Sequence, residues 1–324
     1  MEQLYEFFNR KLKSTPTGFL RYKYGKIKWD GRAFGIVGPR GVGKSTMILQ
    51  HIKLRLDTSD TLYVSADHLY FSEHSLVELA DYFVKMGGRH LFIDEIHKYE
   101  GWSREVKQMY DSYDELQIVV SGSSILDIYK GMADLSRRFP IYEMQGLSFR
   151  EYLRLFHGIE APPFSLDEIL DHKALLPEVK HPLPLFKDYL RRGYYPFGRD
   201  EEFGMELLQV INQTLEVDIP AHLQANVSLA KKLKSLLMVV AKSVPFKPVM
   251  QRLAEATGIS RNDIPNHLFY MERAGIITQL RDSTGGIRGL GKTEKLYLDN
   301  TNLIYALAPE HGDIGNIRET FFMN

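Results

Sequence analysis

Cysteine is absent from the 324 residues. That excludes disulfide bonds, thiol nucleophiles and cysteine-based zinc sites, and it suits a reducing compartment. Net charge is absent as well, because 41 Lys and Arg are balanced by 41 Asp and Glu. No global basic field draws the chain to nucleic acid, so any such binding has to use a local patch. Long apolar runs are missing too. One of the longest, Leu236 to Ala241, is far too short to span a bilayer, so no membrane association is expected. The first residues, Met1-Glu2-Gln3-Leu4-Tyr5-Glu6, carry acids where a secretion signal would carry bases. No internal repeat and no low-complexity segment is visible. What remains is a chain long enough for two or three domains around a sizeable core, expected to be cytoplasmic.

The most informative stretch that is present is Gly38-Pro39-Arg40-Gly41-Val42-Gly43-Lys44-Ser45. It fits the phosphate-binding P-loop pattern. Ala33 to Val37 reads as a buried strand entering it, and Ser45 to Ile52 as the helix leaving it, with Thr46 next to the phosphate site. Glycines let backbone N–H groups turn inward around a phosphate. The helix start adds free donors and a partial positive charge. Lys44 is suited to the β- and γ-phosphates of ATP, and the Ser45 hydroxyl to Mg²⁺.

A short amphipathic helix is expected over residues 1–13, with Leu4, Phe7, Phe8 and Leu12 at helical spacing. Phe19 to Trp29 is rich in aromatics and lysines. It suits either a segment lying over an adenine or one packed on the core. Thr61 to Ser65 reads as a strand and Leu76 to Met86 as a helix. His90-Leu91-Phe92-Ile93-Asp94-Glu95 is an apolar strand ending in two acids, the Walker B pattern. Asp94 would hold Mg²⁺ through water, and Glu95 would act as base on the attacking water. The pair follows Lys44 by 50 residues with a strand between, the mark of an additional-strand ATPase rather than a nucleoside kinase or GTPase. Leu116 to Ser121 is a further strand, ending in Ser121-Gly122-Ser123-Ser124. A hydroxyl there can face the γ-phosphate or the water, while Ser123 or Ser124 suits a helix N-cap. Arg137 and Arg138 precede a fifth strand at Pro140 to Met144 and suit an arginine finger.

With these residues in place, the chain resembles a prokaryotic AAA-type ATPase family related to the origin-recognition and signal-transduction ATPases. The matching stretches are the P-loop, Phe92-Ile93-Asp94-Glu95-Ile96-His97-Lys98, Ser121-Gly122-Ser123-Ser124, Ser136-Arg137-Arg138 and Gly146-Leu147-Ser148-Phe149-Arg150-Glu151-Tyr152. The resemblance implies that Lys44 and Ser45 bind phosphate and Mg²⁺, that Asp94 and Glu95 are the Walker B pair, and that Ser121 sits at sensor 1. It places Arg138 as the arginine usual after the sensor helix. Arg137 stands where the family often has Gly, so either arginine can be the finger. Family members usually continue past a winged helix into a nuclease-like tail. This chain ends at Asn324 after an apolar, helix-like run, which suggests truncation.

The expected architecture is therefore α/β: a P-loop additional-strand ATPase core with a parallel sheet, followed by a helical lid and a winged-helix domain. The divisions are 1–30 for an N-terminal helical segment, 31–145 for the core, 146–240 for the lid, 241–308 for the winged helix and 309–324 for the start of a C-terminal region. Between residues 241 and 300 nine Lys and Arg face six Asp and Glu, and Arg281, Arg288, Lys292 and Lys295 cluster in the expected wing, where DNA phosphates would be contacted. Asp263 and Pro265 at the start of the second helix of that unit count against base readout. Two functions compete. One is Mg²⁺-dependent ATP hydrolysis that moves lid and winged helix, in a homo-oligomer if the finger acts between subunits. The other is a non-enzymatic switch that exposes a DNA- or protein-binding face according to nucleotide. Glu95 separates them, because a switch does not need it. A P-loop phosphotransferase fits poorly, since no acceptor pocket is evident.

Overall fold

The computed structural model describes all residues except 124–138, 176–178, 224–226, 244, 283–292 and 312. They form two compact units, Met1–Gln145 and Gly146–Asn324.

The first unit is a five-stranded, all-parallel sheet with helices. Its strands are β1 (Ala33–Val37), β2 (Thr61–Ser65), β3 (His90–Asp94), β4 (Gln117–Gly122) and β5 (Ile141–Glu143), in the order β2-β3-β4-β1-β5. β1 and β4 are buried along their whole length, as strands covered on both faces must be, which is why they read as unbroken apolar runs. Register is fixed by Ile36 opposite Ser121 and by Ile93 opposite Val120. These pairings bring the C-terminal ends of β1, β3 and β4 to one edge of the sheet, where ligands of open parallel sheets sit. The sequence places Thr61–Ser65 between the P-loop and the acidic strand. In space, however, the strand between β1 and β3 is β4, and Thr61–Ser65 lies at the sheet's edge. The additional strand is thus present but is a different segment.

Among the described residues the helices of this unit are α1 (Glu2–Ser14), α2 (Lys44–Arg55), α3 (Leu76–Lys85) and α4 (Trp102–Ser112). α1 buries Leu4 and Phe8, and Phe7 stacks on Tyr63 of β2. α3 starts at a reciprocal cap between Ser75 and Glu78. α4 buries Trp102, Val106 and Met109, one helical stripe. The aromatic segment after α1 is used in packing: Trp29 stacks on His51 of α2 at 4.0 Å, and the Tyr24 hydroxyl lies 3.1 Å from His51 Nδ1. Burial, with the nearby charges of His90 and Arg55, lowers the His51 pKa to about 4, so the ring is neutral in this cluster.

The second unit is mainly helical. Its first helix, Phe149–His157, is opened by a capping box between Ser148 and Glu151. A π-helical turn spans Tyr189–Gly193. Fully buried Asn302 supports it, donating to the carbonyls of Tyr189 (3.1 Å) and Leu190 (2.9 Å) and accepting from the Tyr194 N–H (3.0 Å). A 17-residue helix, Val227–Ser243, runs unbroken across the expected division at residue 240. It is followed by helices Met250–Thr257 and Ile264–Arg273 and by the antiparallel pair β6 (Ile277–Arg281) and β7 (Thr293–Leu298). Phe246 adds an isolated bridge to Leu296 of β7. The last helix, Ile314–Met323, buries Ile317 and Thr320.

Asp299, just after β7, makes the stability of this unit pH-dependent. Burial raises its pKa from 3.8 to about 6, against the opposing hydrogen bonds from Asn300, Tyr194 and Thr278. A carboxyl whose folded pKa lies above its unfolded one binds more protons in the folded state. Stability is therefore highest below about pH 4 on this group's account and is lost as pH rises to about 6. Asp299→Asn is expected to remove that slope, gaining on the order of 1 kcal/mol over the native chain at pH 7.5 relative to pH 5. Thermal unfolding of both proteins at the two pH values checks it; a difference that does not change with pH would refute it.

Candidate nucleotide site

The loop between β1 and α2 is shaped by glycine. Gly43 is the N-cap of α2 at φ 94°, and no side chain caps the helix, so its first N–H groups face the loop. Gly38 lies so close to β5 that a Cβ there would sit 2.1 Å from the Met144 carbonyl oxygen. Lys44 is buried, and its Nζ donates to the carbonyls of Gly38 and Pro39, each at 2.8 Å. The ammonium is held over the mouth of the loop. Pro39 and Val42 are buried, Arg40, Gly41 and Ser45 are half-buried, and Thr46 is exposed.

Asp94, at the end of β3, is 4% exposed and saturated with donors. The Tyr63 hydroxyl donates to its Oδ2 at 2.5 Å, and the Ser121 hydroxyl donates to its Oδ1. The Ser45 side chain acts on the same phenol, partly favouring its ionised form. Burial and the adjacent Asp94 charge hold that phenol far above its ordinary pKa, so it remains a donor. Ser121 is fully buried, and its proton is committed to Asp94.

Glu95 takes a left-handed backbone conformation, φ 50° and ψ 36°. Few non-glycine residues adopt that conformation, and those held in strained conformations cluster at functional sites. The Ser123 hydroxyl donates to Glu95 Oε2 at 3.4 Å, and His97 Nε2 lies 3.5 Å from the same oxygen. Burial, then repulsion by Asp94, raises the Glu95 pKa; Lys44, Arg40 and Lys98 partly offset this. A carboxylate with raised proton affinity beside a lysine-filled loop is suited to accept a proton. The hydroxyl that faces this group is that of Ser123, not Ser121.

The residues present fit a nucleotide with one divalent ion. Among the described residues no group of three or more His, Asp or Glu is placed to hold a metal by itself. Ser45 on the loop and Asp94 at the end of β3 are the two side chains suited to the ion, and Mg²⁺ commonly takes one or two protein ligands with phosphate and water completing its shell. Arg137 and Arg138, like Ser124, lie outside the described residues. So do Arg288 and Lys292 of the expected wing. The other two wing cations are paired: Arg281 with Glu272, and Lys295 with Glu319 of the last helix. Tyr63 and Arg21 (which donates to the loop carbonyl of Val42 at 2.6 Å) carry no signal in the sequence, because their partners are distant in the chain.

A family model described as an AAA domain matches residues 30–153, and a model described as a domain of unknown function (DUF8612) matches residues 183–313. Residues 30–153, the span of the AAA-domain match, hold the sheet, the loop and the acidic strand end. No curated protein matches the chain. Among solved structures, one titled for katanin self-assembly is similar at 23% identity, covering 45% of this chain and 52% of that one, with a TM-score of 0.31. The S. cerevisiae Hsp104–ADP complex is similar at 15% identity, covering 83% of this chain and 38% of that one, with a TM-score of 0.33. The chain thus spans about half of the katanin chain and 38% of the Hsp104 chain. Among the described residues no helix is long and apolar enough to cross a membrane.

Proposed function

We propose that the first unit binds ATP with Mg²⁺ and hydrolyses it, and that turnover acts on the second unit. The observation that carries this reading is Asp94 held by the Tyr63 and Ser121 hydroxyls, with Glu95 next in sequence as a candidate base under the influence of the loop's Lys44. Ser45 and Asp94 would hold Mg²⁺, which when bound would supply charge neutralisation for the phosphates. Lys44 would exchange its loop carbonyls for phosphate oxygens. Asp94, oriented by Tyr63 and Ser121, would hold the ion's hydration shell with Ser45. Glu95 would take the proton of the attacking water, and Ser123 would fix the carboxylate that receives it.

The second unit divides, in this reading, into a lid over 146–240 and a winged helix over 241–308. The succession of helices Met250–Thr257 and Ile264–Arg273 and the β6–β7 pair supports the latter. DNA is the less favoured partner, because two of its four candidate phosphate contacts are spent on Glu272 and Glu319.

An arginine finger is worth about 10³–10⁵ in rate. If Arg137 or Arg138 acts from a neighbouring copy, turnover per subunit will rise steeply with protein concentration. Steady-state ATP hydrolysis with Mg²⁺ across a hundredfold range of concentration tests this. Turnover flat with concentration would assign the finger to the same chain or to none. Tight ATP binding without turnover at any concentration would replace the hydrolase by the nucleotide-gated switch.

A further inference from the structure

Arg21 lies in the segment between α1 and β1, and it is only 7% exposed. Its guanidinium reaches two main-chain carbonyls: Nη1 donates to Val42 O at 2.6 Å and Nη2 to Gln145 O at 2.8 Å. Val42 lies in the phosphate-binding loop. Gln145 is the last residue of the first unit, and the chain enters the second at Gly146.

In a trans peptide the carbonyl of one residue and the N–H of the next share a plane and point in opposite directions. A guanidinium that fixes the Val42 carbonyl therefore also fixes the Gly43 N–H, turned the other way. The Gly43 N–H is one of the donors a P-loop offers to phosphate. The same fork fixes the Gln145–Gly146 peptide. The two planes are thus held by one rigid, planar group, a geometry that a lysine cannot reproduce.

Two further contacts make the tie stiff. The arm that carries Arg21 is fastened to α2, the helix leaving the loop: Gln50 Nε2 donates to Pro16 O (2.7 Å) and Phe19 O (2.8 Å), and Lys53 Nζ to Thr15 O (2.9 Å). At the other end of the loop, Gly38 abuts the Met144 carbonyl, and Met144 N–H donates to Val37 O at 2.7 Å. Both ends of the loop are therefore braced against Met144 and Gln145.

We propose that Arg21 is a positioning residue that couples the nucleotide site to the exit of the first unit: it presents the Gly43 N–H to phosphate and transmits the loop's occupancy to the Gln145–Gly146 peptide. This rests on the ATP-binding reading of the loop, which the experiment tests separately.

The test uses the full chain, Mg²⁺ with ADP or a slowly hydrolysed ATP analogue, equilibrium binding, and amide hydrogen exchange over residues 36–46 and 142–150. In the native protein nucleotide is expected to slow exchange in both segments together. Arg21→Met keeps the length of the side chain and removes its donors. It is expected to weaken nucleotide binding 10- to 100-fold and, at saturating nucleotide, to leave protection over 36–46 while losing it over 142–150. Guanidinium ion at tens of millimolar should recover part of the lost affinity in Arg21→Met and none in the native chain. Arg21→Lys, the second variant should the first fail to fold, is expected to recover part of the affinity but not the joint protection. Native-like affinity in Arg21→Met, or nucleotide protection of 142–150 surviving in either variant, would overturn the coupling while leaving the ATP-binding reading intact. Failure of the native chain to bind nucleotide would remove that reading and the coupling with it.

Discussion

Glu95→Gln is expected to lower ATP turnover by about 10²–10⁴ while leaving nucleotide affinity within a few-fold of native. The substitution is nearly isosteric. Its amide oxygen still accepts from Ser123, the contact that Glu95 Oε2 makes at 3.4 Å. Glutamine meets the left-handed conformation at position 95 as readily as glutamate does, so the backbone has no new reason to move. What is lost is the ability to take a proton. Burial and Asp94 already raise the proton affinity of Glu95, which improves it as a base without making it a strong ligand for anything else. Single-turnover hydrolysis alongside equilibrium binding of a fluorescent ATP analogue separates the two effects. Turnover within threefold of native would remove Glu95 from the chemistry, and loss of binding together with turnover would make its role structural.

The residues that could be read from the sequence are those whose chemistry is contiguous. The P-loop and the acidic strand end each occupy one stretch, because a strand running into a turn supplies its ligands consecutively. β1 to β4 were legible for a like reason: largely buried, they read as mostly apolar runs, whereas β5 is half-buried and ends on exposed Glu143. Their order was not. The sequence puts Thr61–Ser65 between the two motifs, whereas pairing puts β4 there, and pairing joins strands distant in the chain. Tyr63 escaped notice because a tyrosine in a strand is ordinary until its hydroxyl is seen on Asp94, 31 residues away. Arg21 escaped because its partners are main-chain carbonyls, one of them 124 residues away, and carbonyls leave no trace in residue types. Charge counting misled at the wing for a related reason: Arg281 and Lys295 look available until Glu272 and Glu319 are placed beside them.

Gly38→Ala is expected to cost roughly 2–4 kcal/mol of stability and at least tenfold in nucleotide affinity, far more than a single methyl ordinarily does. The added Cβ would lie 2.1 Å from Met144 O and 3.1 Å from Met144 C, both main-chain atoms. Those atoms cannot swing away as the end of a side chain can. Met144 is tied through its N–H to Val37 O, and the β1–β5 pairing carries Val37 opposite Glu143, so relief must come from breaking that edge of the sheet or from pushing the loop outward. An outward shift moves the N–H groups that phosphate needs and drags the carbonyls that hold Lys44. Gly87→Ala supplies the control. Gly87 is also in the left-handed region, at φ 88°, but nothing lies within 4 Å of the position its Cβ would take. Only the backbone term applies there, about 1–2 kcal/mol, with nucleotide affinity unchanged. Denaturant unfolding and nucleotide titration of the two variants side by side decide the matter. A larger loss at position 38, in both quantities, is the signature of a loop packed directly on β5. Equal losses at 38 and 87, with affinity intact in both, would mean that the loop retreats freely and that β5 does not hold it.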